Sequence, residues 1–140
     1  MQTKPKSIGY WVSTGLLAAA LLAGGGSQLA ALPQTMQGIQ RLGYPPYVLT
    51  ILGTWKLLGV AALLAPGWPR LKEWAYAGIF FDLTGAVASH AFSSDTAGSA
   101  APLGLLLLVA ASWALRPPSR AWNVDSTPAR ETQILEPTLE

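Results

Sequence analysis

The sequence predicts an all-α fold, an antiparallel four-helix transmembrane bundle, on three observations. The 140 residues are 51% hydrophobic and only 11% charged, where an average soluble domain carries about 25% charged residues. The apolar residues gather into four runs parted by Pro- and Gly-bearing turns, the pattern of helices that cross a bilayer. The two middle runs each hold one central charge, Lys56 and Asp82, and fold back on each other at Pro66-Gly67-Trp68-Pro69. Lys56 lies thirteen residues before Pro69 and Asp82 thirteen after it, so an antiparallel hairpin sets both at one depth. Either charge alone at a membrane helix centre costs roughly 2.5–3.5 kcal/mol on insertion scales. Pairing near the bilayer midplane reduces that cost.

Residues 1–7 are polar, with Lys4 and Lys6, and read as a cytoplasmic N-terminus. Residues 8–31 carry no charge and are long enough to span ~30 Å at ~1.5 Å per residue. Tyr10 and Trp11 at the start of this run suit the headgroup level. The run is too long for the apolar core of a cleaved signal peptide. Its Gly24-Gly25-Gly26 follows no strand and precedes no lysine, so it is no phosphate loop. Small residues there permit close helix packing or a local kink. Pro33 breaks the helix, and Met36–Leu42 reads either as a short interfacial helix or as a solvated connector. Leu42-Gly43-Tyr44-Pro45-Pro46 turns the chain into the second span.

The second span covers 47–65, with Gly53 and Gly59 three residues either side of Lys56. They share its side of the helix and let another backbone cover the lysine stem. Trp55 points ~100° away and packs or meets lipid. The turn at 66–73 is basic, with Arg70 and Lys72 against Glu73, and Trp68, Trp74 and Tyr76 form an aromatic belt. The third span covers 74–92. Gly78, Asp82, Gly85, Ala86 and Ser89 share one face, expected to point into the bundle. His90 lies off that face, near the end of the span. The fourth span, 100–115, stops at Arg116-Pro117-Pro118. The membrane domain is therefore 8–116, and 117–140 reads as a disordered cytoplasmic tail.

Orientation follows the lysines and arginines. Lys4, Lys6, Arg70, Lys72, Arg116, Arg120 and Arg130 fall on one side and Arg41 on the other. This places both termini and the middle loop in the cytoplasm. The formal charge of +2 without a basic run gives nucleic-acid binding no support. The absence of cysteine removes disulfides, thiol redox chemistry, thiolate zinc and iron–sulfur ligation. One histidine does not make a multi-histidine metal site, so no metal is expected.

Several stretches together resemble the DoxX-like family of small bacterial membrane proteins. They are Tyr10–Ala18, Leu42–Tyr47, Leu52–Gly59, Pro69–Gly78, Phe81–Ala86 and Ser89-His90, and the resemblance covers about residues 8–115. The order lysine, turn, aspartate, histidine is its most specific part. The resemblance implies four antiparallel helices in the bacterial inner membrane. The family's name comes from a subunit associated with quinone-linked sulfur oxidation, and some relatives are tied to redox-stress defence.

Lys56, Asp82, His90 and Ser89 are the candidates for ligand binding or proton relay. Intramembrane ionisable residues default to a functional role; the rival reading is a buried staple that fixes hairpin register. His90 is expected as a hydrogen-bonded packing residue, with relay as the alternative. Ser89 and Thr84 are expected to bond their own helix or a neighbour. No paired carboxylates, nucleophile elbow or Ser/His/Asp set appears, so no autonomous catalysis is expected and no cofactor is evident. A quinone could accept hydrogen bonds from Lys56 or His90, with its tail between helices; a partner protein would then supply electrons. The alternative is a non-enzymatic accessory or assembly protein, in a redox complex or a homo-oligomer, with a purely structural pair. Proton-coupled transport is the third reading, though no inverted repeat is visible.

Overall fold

A computed structural model of the chain describes residues 4–122. Among them the fold is all-α, with five helices: α1 Lys4–Leu29, α2 Pro33–Arg41, α3 Tyr47–Leu64, α4 Pro69–Phe92 and α5 Ala100–Ala114. A single 3-10 turn, Pro118–Arg120, follows. The four long helices pack in the cyclic order α1, α3, α4, α5, with α2 beside the end of α1. α1 and α3 are each long and apolar enough to cross a membrane, and α5 is a shorter apolar helix.

The helices depart from the expected spans in ways the chain explains. α1 starts at Lys4, so residues 4–7 already belong to the helix. α2 forms with Pro33 at its first position, where a missing N–H removes nothing the helix needs. It buries Ile39, so this loop is a helix rather than a solvated connector. α4 begins at Pro69, five residues before the expected span, again with proline at the start. Arg70, Lys72 and Glu73 therefore stand on its first turns rather than in a loop. The reversal between α3 and α4 is compressed into Pro66–Trp68, with Gly67 at φ 67° and Trp68 at φ 53°. The second value is uncommon for a residue with a Cβ. The expected tail folds back at its start through the Pro118–Arg120 turn; the rest of that expectation, 123–140, lies outside the described residues.

The core is one cluster: Leu17, Ala18 and Leu21 of α1, Val60 and Leu63 of α3, Tyr76, Ile79 and Leu83 of α4, and Val109 of α5. The outer surface is apolar as well. Trp74 is 80% exposed, Phe81 70%, Leu107 73% and Phe92 92%. Large apolar side chains exposed in this number on every long helix suit lipid as the surrounding solvent.

α1 and α3 cross at two glycines. A Cβ on Gly53 would lie 2.8 Å from the Gly25 carbonyl oxygen, and one on Gly25 3.1 Å from the Lys56 Cβ. The triple glycine thus serves close packing at its middle member, within an unbroken helix, and the lysine stem lies over Gly25. Gly59 makes only ordinary contact with Ile79.

The face of α4 that enters the core is Lys72, Tyr76, Ile79 and Leu83, spaced i, i+4, i+7, i+11 as a buried stripe requires. The expected face is therefore corrected. Gly78 and Gly85 are exposed, and a Cβ on either meets nothing within 4 Å. Their small size leaves open space beside Asp82 instead of admitting a neighbouring helix.

Candidate functional site

Lys56 sits midway along α3 and Asp82 midway along α4. The tight reversal holds these helices antiparallel, and the thirteen-residue offsets bring the two side chains face to face. Lys56 Nζ lies 3.0 Å from Asp82 Oδ2 and donates to Oδ1 at 3.3 Å. The side chains keep 14% and 20% of their exposure, so the pair is largely but not wholly enclosed. An ammonium has three donors, and Asp82 alone does not use them all.

Two spaces meet at this pair. A chamber of about 490 Å³ lies between the end of α1, α2, α3 and α4, lined by Gln28, Leu42, Tyr44, Lys56, Asp82, Ser89 and His90 among others. A groove of about 480 Å³ lies on the other side of the pair, lined by Trp55, Leu58, Gly59, Trp74, Gly78 and Ile79. Leu52, Lys56 and Asp82 border both. Trp55 is 67% exposed; it flanks the groove and does not stack on the ammonium, in line with the helical spacing.

The chamber's other polar groups are anchored locally. Ser89 donates to the Gly85 carbonyl at 2.9 Å, and the Tyr44 hydroxyl is 2.8 Å from Ser89 Oγ. Ser89 thus bonds both its own helix and a neighbouring loop. Thr84 bonds only its own helix, at the Phe80 and Phe81 carbonyls. His90 Nδ1 lies 3.0 Å from Asp95 Oδ2, and Asp95 Oδ1 accepts from the Gly98 N–H at 3.0 Å. That N–H first, and then the His90 ring, hold the Asp95 carboxyl below the usual carboxylate range. A Cβ on Gly98 would overlap the His90 ring and the Asp95 carboxylate and force them to shift. His90 is therefore a hydrogen-bonded residue at the end of α4, on the edge of the chamber. Gln28 Oε1 is buried without a hydrogen-bond partner.

Lys56, Asp82, Ser89 and His90, predicted from sequence, all line the one chamber. Gln28 and Tyr44 were missed. Both are uncharged residues in stretches read as a plain span and a turn. A glutamine in an otherwise apolar helix was the signal that could have found the first.

A second polar cluster occupies the opposite end of the helices. Ser112 Oγ lies 2.6 Å from Thr14 Oγ1 and 2.7 Å from the Tyr76 hydroxyl, all buried. Lys72, 1% exposed, donates to the Ala62 carbonyl at 3.1 Å and to that of Ala65. It caps the end of α3, where carbonyls lack helical partners. Arg116 pairs with Glu73, and Arg120 donates to the Leu63 carbonyl at 3.2 Å and lies over Trp11. Tyr10 and Tyr76 are core residues at this end, 1% and 3% exposed, rather than members of an interfacial belt. The folding thus gathers Lys72, Arg116 and Arg120 at one end and leaves Arg41 and Asp95 at the other.

The model of the DoxX-like family matches residues 12–112. That is most of the chain and contains every residue of the chamber, so the protein belongs to the DoxX-like family. Membership and the apolar helices together support a membrane protein. No curated protein and no solved structure shows a significant match to the chain.

Proposed function

We propose that this member of the DoxX-like family works as an antiparallel four-helix transmembrane bundle, multi-pass in the bacterial inner membrane with both termini cytoplasmic. At the Lys56–Asp82 pair, near the bilayer midplane, it takes the polar head of an amphipathic ligand. A quinone of redox metabolism suits the site best, and a lipid head is the other member of that class. The observation that carries this reading is the ion pair's position as the common wall of two cavities, a chamber that also holds Gln28, Tyr44, Ser89 and His90 and a groove whose other lining is apolar. The spare ammonium donor of Lys56 suits a carbonyl oxygen. The groove past Trp55 and Gly78 suits a hydrocarbon tail, and it runs toward the basic end of the helices. Ser89 and His90 limit the head on the chamber side. The chain offers no electron carrier of its own, so redox work belongs to a partner protein, or the ligand is bound and not transformed.

Native mass spectrometry of the purified protein tests the reading first, by the mass of any retained amphiphile. Quenching of Trp55 and Trp74 fluorescence by a short-chain quinone tests it quantitatively. Binding should weaken at least about tenfold in Lys56→Met, the loss of one charge-assisted hydrogen bond. A wild-type protein that neither retains an amphiphile nor responds to quinone removes it.

One observation favours a second reading, an accessory or assembly protein of a membrane complex. The pair links α3 to α4 and its lysine stem packs over Gly25, which is what a register staple does. Lys56→Met with Asp82→Leu would then keep function in the cell.

A further inference from the structure

The chamber and the groove share one wall and both carry much apolar lining, Ile39, Val48, Leu49 and Phe81 in the chamber, but the uncharged polar side chains and the imidazole lie on the chamber's side alone. Gln28, Tyr44, Ser89 and His90 give the chamber an amide, a phenol, a hydroxyl and an imidazole. The groove's side is indole and aliphatic carbon up to the pair itself. Gln28 Oε1 is buried, and no donor among the described residues reaches it. Buried amide oxygens are satisfied by protein or by ordered water, and protein does not satisfy this one. The chamber, at about 490 Å³, has room for several waters at about 30 Å³ each. Its rim includes exposed Gly38 and Tyr44, and the groups at that end are the His90 ring, the Asp95 carboxylate and the nearby Arg41 guanidinium. Past the pair, Val60, Leu63 and Ile79 close the core.

We propose that the chamber is an aqueous vestibule. Bulk water enters it from the side of α2 and of the loop after His90, and reaches the Lys56–Asp82 pair. The pair seals its inner end, and the groove beyond stays dry. A proton exchanged at the pair then exchanges with the extracytoplasmic side alone. This inference rests on the membrane orientation proposed above.

The chain contains no cysteine, so single cysteines report cleanly. Gly85 and Gly78 form a matched pair on α4, three residues after Asp82 and four before it. One lines the chamber and the other the groove, and a Cβ fits freely at both. Ser94→Cys, in the loop, is the external control. A charged, membrane-impermeant methanethiosulfonate is added to spheroplasts carrying each full-length variant. Gly85→Cys should react about a hundredfold faster than Gly78→Cys, because a thiol in apolar surroundings has its pKa raised and loses its thiolate. Ala86→Cys repeats the measurement if Gly85→Cys does not accumulate.

If Ser94→Cys reacts and Gly85→Cys does not, the vestibule is wrong. Equal rates at Gly85→Cys and Gly78→Cys also overturn it, since the pair would then seal nothing. If Ser94→Cys reacts only from the cytoplasmic side, the orientation itself has failed, and the vestibule assigned to the outer face fails with it.

Discussion

Tyr76 and Tyr44 each meet a serine hydroxyl, at 2.7 Å and 2.8 Å, and both line cavities, yet one is a core residue and the other is exposed. Tyr76 is 3% exposed, and its serine is shared with buried Thr14. Tyr44 is 42% exposed and edges a cavity. The contrast extends to both ends of the helices. At the basic end the buried polar groups close on protein: Lys72 on carbonyls of α3, Arg116 on Glu73, Arg120 on Leu63. From the middle of the helices toward the other end, Lys56, Asp82, Ser89 and His90 border open space, and Gln28 Oε1 has no partner among the described residues. Polar groups enclosed by protein fix an arrangement; a partly exposed ion pair beside an unpartnered amide oxygen, both lining a cavity, is placed to meet something that enters. The candidate site belongs to the second end for that reason, although the first holds more charge.

The comparison breaks most visibly at the ion pair. Lys56→Met leaves a carboxylate between the helices without its cation. This should destabilise the protein by about 3 kcal/mol, at the low end for a broken buried pair because both side chains keep some exposure. Adding Asp82→Leu should recover most of that loss. Unfolding by SDS titration, followed by helical circular dichroism, measures both. A double variant as unstable as the single one would mean that the pair contributes more than charge neutralisation. Gly53→Ala tests packing without charge. Its Cβ would press on the Gly25 carbonyl at 2.8 Å, and overpacking of this kind costs about 1–3 kcal/mol in the same titration.

Serines sharpen the contrast between the two ends. Ser112→Ala strands two buried hydroxyls and should cost about 2 kcal/mol while leaving quinone affinity unchanged. Ser89→Ala releases a half-exposed hydroxyl whose partner can turn to water, and should cost no more than about 0.5 kcal/mol, with its effect on binding instead. Equal losses of stability would erase the distinction drawn between a saturated end and an open one.

The meeting of Lys56 and Asp82 was legible in the sequence because it follows from counting. Lys56 and Asp82 are equally spaced from a turn that Pro66, Gly67 and Pro69 announce, and antiparallel helices do the rest. The buried face of α4 was not legible by the rule applied. Small residues commonly mark helix contacts in membranes, which pointed to Gly78, Asp82 and Gly85. The stripe Lys72, Tyr76, Ile79 and Leu83 has the right period but begins with a cation, and only the position of the α3 end shows why a lysine is buried there. That end depends on the exact start of α4, the kind of boundary that local pattern fixes least well. Arg120 was hidden for a similar reason. It lies beyond Pro117-Pro118, which stop α5 as expected, yet the chain turns back afterwards to reach Leu63. Gln28 carries no charge, so the search for intramembrane ionisable residues passes over it, although an amide in an otherwise apolar run is itself a local signal.

The smallest expected effect lies at the edge of the chamber. The Gly98 N–H, followed by the His90 ring, stabilises the ionised Asp95 carboxylate in the folded chain. The folded-state pKa is thereby lower than the unfolded one. The group's contribution to the loop is complete above the ordinary carboxylate value of about 3.9, and is lost as pH falls through the lower folded value. Amide exchange at Gly98, corrected for intrinsic rate, should therefore show protection that is flat from neutral pH down to about 4 and falls below it. Asp95→Asn keeps an acceptor oxygen for the Gly98 N–H but has no charge to lose. Its protection should be lower at neutral pH, independent of pH, and equal to that of the wild type at the acid end. A wild-type profile without the acid step would detach this loop from Asp95 ionisation and leave the His90 side of the chamber held by packing alone.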